Sequence, residues 1–390
     1  MKNYVKISNI IKKFNKVITV QGDKSISIRW ALMASQAVGK SRAKNLLKSE
    51  DVESTLNALK KIGVKVFKNQ KYCEIIGKGL NSYNFKNNTT IDAGNSGTLA
   101  RLILGLLSGY SRSVKIKGDK SLSRRDFSRI IKPLNIFGVK IKSKNNKLPV
   151  TLKGTKFLRP IYFDEKKGSA QVKSCIMLAS LNTPGITKIK CVNSRDHTER
   201  LFKYLKIPLK INKISKKQQV IEVEGKKQYN AFNYNIPGDI SSASFFIVLT
   251  SLSKNSKIII KNVNINKSRT GIIDILNKMN ANIKIKNNKV INNEPVGDIY
   301  VKSSSSLRAI NCNSEINSRA IDEFPLIFLL CAKAKGVSFF KNIEELRHKE
   351  SDRLKVCSDF LKSIGIKVVE KKDSLKIYGN PNLKIEKKFH

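Results

Sequence analysis

GDKSISIRWALMASQAVG, residues 22–39, sets the pattern for the whole chain: a turn of small and charged residues opens directly onto an apolar run of helical length. The same reading recurs as GNSGTLARLILGLLSG from Gly94, GSAQVKSCIMLASL from Gly168, GDISSASFFIVLTSL from Gly238 and DEFPLIFLLCAKAKG from Asp322. The starts are 72, 74, 70 and 84 residues apart. A fixed period of this length marks a repeat architecture, in which each copy is one supersecondary unit.

A second signal keeps the same step. LKKIGVKV, LNIFGVKI, YLKIPLKI, LNKMNANI and LKSIGIKV each read as the end of an amphipathic helix, a breaker and a strand, with the breaker at Gly63, Gly138, Pro208, Asn280 and Gly365. The charged turns SEDVEST, SLSRRDFSR, SRDHTER, NINKSRT and HKESDR precede these second helices and are rich in N-cap and first-turn residues. Alternating stretches such as YCEIIGKGLNSYN and QQVIEVEGKKQYN suit hairpin strands. The sequence therefore predicts a repeated β-α-β-α-β-β unit of mixed α/β class. Five units begin within the chain, the first strand being KVITV before Gly22, and a sixth would open beyond the last residue. Either the architecture has five units or the sequence is cut short.

Composition bounds the rest. The 390 residues carry 76 Lys and Arg against 29 Asp and Glu, a formal charge of +47, with 40% hydrophobic residues, which is enough to bury cores and excludes a disordered basic tail. No apolar run approaches the ~18 residues of a membrane span, and MKNYVKISNIIKKFNKVITV lacks the apolar core of a signal peptide. Cys73, Cys175, Cys191, Cys312, Cys331 and Cys357 are scattered and several lie in apolar runs, which predicts core thiols in a reducing, cytoplasmic compartment. Lysine is spread over the whole chain with no aromatic-basic motif, a pattern of solvated faces; nonspecific nucleic-acid binding by a basic repeat protein is the non-enzyme alternative. A positive field also favours small anionic substrates.

Helix N-termini present unpaired N–H groups and a positive dipole end, so Gly- and Ser-rich turns there form anion sites. Lys24, Ser25, Ser27 and Arg29 occupy the first turn, Asn95, Ser96, Gly97 and Thr98 the second, and Ser169, Ala170 and Gln171 the third. One such turn is a structural cap as readily as a site; several carrying Lys or Arg point to a ligand with more than one anionic group. Asp322 and Glu323 open the most apolar helix, and Glu350 lies between Lys349 and Arg353. These carboxylates read as an acid–base pair tuned by cations or as surface ion pairs. His197 in SRDHTER is a helix-turn partner or a site residue, and the three histidines form no HExxH.

GDKSISIR, AGNSGTLAR, GDKSLSRR, SAQVK, SRDHTER, IDEFP and KESDRL run in order from residue 22 to about 356, and this set resembles the 5-enolpyruvylshikimate-3-phosphate (EPSP) synthase family, the 3-phosphoshikimate 1-carboxyvinyltransferases. The resemblance implies a two-domain inside-out barrel of six repeat units with the active site in the interdomain cleft. It implies a first domain over 22–237 and a second built from 1–21 plus 238–390. It also implies the reaction: the enolpyruvyl group of phosphoenolpyruvate passes to the 5-hydroxyl of shikimate 3-phosphate through a tetrahedral ketal phosphate, and phosphate is released. No cofactor or metal is implied, and a monomer is expected.

By matching motif position, the resemblance assigns Lys24 to both substrates. Ser25, Arg29, Ser169, Ala170, Gln171, Arg195, Asp322 and Lys349 would bind shikimate 3-phosphate. Asn95, Gly97, Arg125, Gln171 and Arg353 would bind phosphoenolpyruvate. Asp322 would accept the hydroxyl proton, and Glu350 would shuttle a proton at the methylene carbon. SAQ-x-K (Ser169 to Lys173) and R-x-H-x-E (Arg195 to Glu199) resemble the glyphosate-tolerant class, whose N-x-T-R marker stands here as Asn266-Lys267-Ser268-Arg269.

Three departures stand out. Ile28 replaces the family's usual histidine beside Arg29, and Asp126 replaces a proline after Arg125. The D-H-R motif and later lysine of the family's sixth unit are missing from these 390 residues, so the resemblance implies a C-terminally truncated chain of weak or no activity. The alternative enzyme is a UDP-N-acetylglucosamine enolpyruvyltransferase, which would carry Lys-Asn at Lys24-Ser25 and a loop cysteine as proton donor.

Overall fold

The structure is a computed structural model and describes residues 11–312 and 314–384. Residues 1–10 and 385–390, assigned above to the second domain, lie outside the described residues.

The repeat is realised five times. The first copy is β1 (Asn15–Thr19), α1 (Lys24–Ala34), β2 (Val38–Lys44), α2 (Glu50–Lys61), β3 (Lys65–Lys68) and β4 (Tyr72–Lys78). The second is β5 (Thr89–Asp92), α3 (Gly97–Leu107), β6 (Ser113–Lys117), α4 (Ser128–Ile136), β7 (Lys140–Lys144) and β8 (Lys147–Lys153). The third is β9 (Tyr162–Glu165), α5 (Ala170–Ser180), β10 (Ile186–Val192), α6 (His197–Tyr204), β11 (Leu209–Lys213) and β12 (Gln218–Glu224). The fourth is β13 (Asn233–Asn235), α7 (Ile240–Leu252), β14 (Lys257–Asn264), α8 (Gly271–Lys278), β15 (Ile283–Ile291) and β16 (Glu294–Lys302). The fifth is β17 (Asn311–Cys312), α9 (Ser314–Ala320), α10 (Phe324–Ala332), β18 (Gly336–Phe340), α11 (Arg353–Ser363), β19 (Val368–Glu370) and β20 (Leu375–Gly379). The short α9 is an addition that the periodicity did not announce.

Among the described residues the strands form five four-stranded sheets, each with one parallel pair continued by antiparallel strands. Two first strands are exchanged: β1 pairs with β14 of the fourth repeat, and β13 pairs with β2 of the first. The two crossing segments run side by side, Asp23 N–H donating to Pro237 O at 2.8 Å and Asp239 N–H to Gln21 O at 2.9 Å. The exchange divides the chain into a three-repeat unit, residues 21–239 with 290–295, and a two-repeat unit made of the described parts of 1–20, 240–289 and 296–390.

Each second helix stops by the same device. The N–H of Val64, Val139, Ile207, Ala281 and Ile366 reaches back five residues, to the carbonyls of Leu59, Leu134, Phe202, Leu276 and Leu361. The residue before each has a left-handed backbone: Gly63, Gly138, Lys206, Asn280 and Gly365, with φ between 56° and 100°. This Schellman closure satisfies orphan carbonyls and packs an apolar residue just past the helix, buried in four of the five repeats and half-buried at Ala281. It corrects one expectation: in the third repeat the breaker is Lys206, not Pro208, because the closure requires positive φ and proline is fixed near −65°. Pro208 follows two positions on, where it cannot continue the helix.

Each unit has its own apolar core. In the three-repeat unit α1, α3 and α5 lie among buried residues such as Trp30, Leu104 and Ile176, and α7, α10 and α11 line the second core with Ile247, Phe328 and Leu361. Ile28 is fully buried in the first core, so the side chain that replaces the expected histidine packs as an ordinary core residue.

Candidate active site

In the three-repeat unit the turns opening α1, α3 and α5 are built by their own caps. Asp23 accepts the Ile26 N–H at 2.9 Å, Ser96 that of Leu99 at 3.3 Å and Ser169 that of Val172 at 3.4 Å.

Lys24 begins α1, its backbone N–H held by Asp239 at 3.0 Å, and its half-exposed ammonium lies 3.9 Å from Asp51. Arg29, one turn on, is buried. Its guanidinium donates to Thr198 Oγ1 (2.9 Å), Ser174 Oγ (3.0 Å) and the Ser25 carbonyl (3.1 Å). Burial lowers its pKa to about 10, with Arg195 adding to the same effect. Arg29 therefore binds α1 to α5 and α6 and holds the Ser25 turn from behind.

A second group forms between α3 and α5. Gln171 Oε1 accepts from Arg101 Nη1 at 2.6 Å while its amide donates to Thr98 Oγ1 at 3.1 Å. A Cβ on Gly97 would lie 2.9 Å from Arg101 Nη1 and 3.1 Å from Arg125 Nη1, so the glycine is what lets two guanidiniums approach the start of α3. Arg101 lies over the Phe127 ring at 5.0 Å, and burial, then the charge of Arg125, lowers its pKa to about 10. Asn95 donates to Asp119 at 2.5 Å, and the Leu122 N–H together with that amide holds the Asp119 carboxyl below the usual range.

Asp126, in place of proline, accepts the Ser128 N–H at 2.9 Å and its hydroxyl at 2.5 Å, a side-chain turn just ahead of α4. Ser169 N–H donates to the buried Glu165 at 2.8 Å, and Glu165 is in turn paired with Arg129 at 2.9 Å. Thus Asn95, Gly97, Arg125 and Gln171 gather at one place, and Arg29 and Arg195 at another, in the same unit. Arg101 was not among the residues assigned from sequence. Its signal was available, because four residues after Gly97 lies the same helix face.

The two-repeat unit holds carboxylates. Asp322, in the turn before α10, has one oxygen 3.5 Å from Arg353 Nη1 and the other accepting from Arg269 Nη1 at 3.4 Å. Arg353 Nη2 donates to Glu350 at 2.6 Å, so Asp322, Arg353 and Glu350 are brought together. Lys349 donates to Glu345 at 3.0 Å. The loop carrying Glu350 is tied down by Arg347, which pairs with Asp352 at 2.8 Å and Glu370 at 2.7 Å.

A match to the family model "EPSP synthase (3-phosphoshikimate 1-carboxyvinyltransferase)" covers residues 8–387. The chain belongs to the EPSP synthase family. Two relatives named 3-phosphoshikimate 1-carboxyvinyltransferase, from Petrotoga mobilis and Ruthia magnifica, are each 41% identical. The first match covers 96% of this chain and 86% of the relative, the second 95% and 84%. An EPSP synthase structure from Acinetobacter baumannii superposes with a TM-score of 0.82 at 35% identity, covering 94% of this chain and 82% of that one. The enolpyruvyl transferase NikO from Streptomyces tendae, 14% identical with a TM-score of 0.72, shares the fold.

The two EPSP synthase class motifs meet in space. Lys173 of SAQ-x-K and Glu199 of R-x-H-x-E form an ion pair of 2.5 Å with both side chains buried. His197 Nδ1 lies 2.8 Å from the buried Glu294. The first pair joins α5 to α6 and the second joins α6 to β16, and all four side chains are buried. Five of the cysteines are buried and Cys357 is half-buried against the second core; burial pushes the Cys175 and Cys331 thiols up to about 12 and those of Cys73, Cys312 and Cys357 to about 11. Among the described residues no group of three or more His, Cys, Asp or Glu could hold a metal, and no helix is long and apolar enough to cross a membrane.

Proposed function

We propose that this chain transfers the enolpyruvyl group of phosphoenolpyruvate to the 5-hydroxyl of shikimate 3-phosphate and releases phosphate, the reaction named for its curated relatives. The observation that supports the reading most is the group at the start of α3 and α5, where Arg101 fixes Gln171 beside Arg125 and a glycine leaves room for an anion.

Lys24, Ser25, Ser169, Ala170, Gln171 and Arg195 hold shikimate 3-phosphate, its phosphate meeting the N–H groups that open α5. Arg29 supports that turn through the Ser25 carbonyl. Asn95, Gly97, Arg125 and Arg353 hold phosphoenolpyruvate together with Lys24 and Gln171. Asp322 and Lys349 face the shikimate ring.

Asp322 accepts the 5-hydroxyl proton as that oxygen bonds to C2 of phosphoenolpyruvate, and Glu350 delivers a proton to the methylene carbon. Loss of a proton from the same carbon then restores the double bond and expels phosphate from the ketal intermediate. The guanidiniums stabilise charge on the phosphate as it leaves. No step needs a redox or metal centre. A monomer acting in the cytoplasm is part of the same reading.

The test is phosphate release by the purified chain with both substrates. Release that needs both and falls at least ~100-fold in Lys24→Ala supports the reading. Release with phosphoenolpyruvate alone, or none together with no calorimetric binding of shikimate 3-phosphate, overturns it.

A further inference from the structure

The internal repeat provides its own comparison. An arginine stands at the start of four of the five second helices: Arg125 before α4, Arg195 before α6, Arg269 before α8 and Arg353 as the first residue of α11. Three of these carry substrate roles in the proposed function. Arg269 carries none, yet it is the most deeply buried arginine of the carboxylate group, its side chain 4% exposed.

Its surroundings are built to aim it. The Asn266 side chain accepts both the N–H and the hydroxyl of Ser268, at 2.9 and 2.8 Å, and the Arg269 N–H returns to the Asn266 carbonyl at 2.7 Å. This Asx turn gives the N-x-S-R sequence a physical meaning and explains why serine serves in place of threonine, since only the hydroxyl is used. Arg319 donates to the Lys267 carbonyl at 2.6 Å and pairs with Asp274 at 2.7 Å, closing the turn from outside. At the other end Arg269 Nη2 donates to Ser241 Oγ at 2.8 Å and lies 4.0 Å from Glu323, to which Ser241 also donates. Nη1 reaches Asp322 at 3.4 Å.

Asp322 thus lies between two guanidiniums of different character. Arg353 is 24% exposed, is shared with Glu350 and is assigned to phosphoenolpyruvate, so substrate binding competes for it. Arg269 is buried and held on its far side by Ser241. We propose that Arg269 is a positioning residue that fixes the Asp322 carboxylate toward the shikimate 3-phosphate hydroxyls when Arg353 turns to its own ligand. The inference rests on the assignment of Asp322 above.

The test reads binding as well as turnover. Shikimate 3-phosphate affinity is measured by calorimetry for the parent chain, Arg269→Gln, Asp322→Asn and the double variant, with Arg269→Lys as a milder change should the glutamine variant fail to fold. Arg269→Gln is expected to weaken binding about tenfold, Arg269→Lys less, and the double variant no further than Asp322→Asn alone. A merely structural arginine would lower the melting temperature and leave affinity unchanged. Parental affinity in a folded Arg269 variant, or losses that simply add, overturns the positioning role alone. A parent chain that does not bind shikimate 3-phosphate overturns the assigned function and this inference with it.

Discussion

The three-repeat and two-repeat units are made from the same supersecondary piece and use it differently. In α1, α3 and α5 nine of eleven residues are buried in each helix, whereas α7 buries seven of thirteen and leaves Phe245, Phe246 and Leu249 exposed. On α11 Val356 and Phe360 are exposed as well. A repeat of this kind cannot cover its apolar helix alone, so burial depends on how many neighbours it has. The chemistry divides along the same line. In the three-repeat unit the arginines beside the helix-opening turns, Arg29 and Arg101, donate to neutral hydroxyl, amide and carbonyl oxygens. In the two-repeat unit Arg269 and Arg353 are met by carboxylates.

The division predicts different failures. Asp322→Asn removes a proton acceptor, and turnover is expected to fall by ~10²–10⁴. Gln171→Ala instead disturbs a binding group and should raise the KM of both substrates with a smaller loss of kcat. Steady-state kinetics on both variants checks the contrast, and equal KM changes would break it.

Packing gives the next largest effect. Leu104→Ala in the fully buried face of α3 is expected to cost about 3 kcal/mol in urea unfolding, within the usual range for such a cavity. Phe245→Ser on α7, 63% exposed, should change stability by less than about 0.5 kcal/mol and reduce self-association at high concentration. A large destabilisation by Phe245→Ser would show that this face is covered in solution.

The smallest effect concerns acid. Asp119 is held below the usual carboxylate range by the Leu122 N–H and Asn95. Burial pushes Asp352 up, but the Lys355 N–H and Arg347 outweigh it and its carboxyl also lies low. Both groups therefore contribute stability that is present above the unfolded value of ~3.9 and lost as pH falls through their folded values. Melting temperatures from neutral to acid pH should show a shallower acid decline in Asp119→Asn and Asp352→Asn than in the parent. An unchanged decline in both would remove the role of these caps.

The repeat was legible because its signals are local. A capped turn, an apolar run and a helix stop each depend on a few adjacent residues, and the same spacing brings them round again. At the end of α6 Pro208 cannot continue the helix, but the left-handed backbone that closes it belongs to Lys206. Pro208 is visible in sequence as a breaker, but nothing marks Lys206 as the residue that takes positive φ. Arg101 lies inside AGNSGTLAR, but its partner Gln171 is 70 residues away, so its place in the site is not written locally.

By itself the sequence determined the unit, its period, the turns that open its helices and the ordered motifs of the EPSP synthase family, because all of these are contiguous. Tertiary structure alone decided the pairing of β13 with β2, the pairing of Lys173 with Glu199, and the hold of Arg29 on Thr198 and of Arg269 on Asp322. Each of these joins residues far apart in the chain. Their partners are chosen by packing and by the need to satisfy buried charge, and no local pattern encodes that choice.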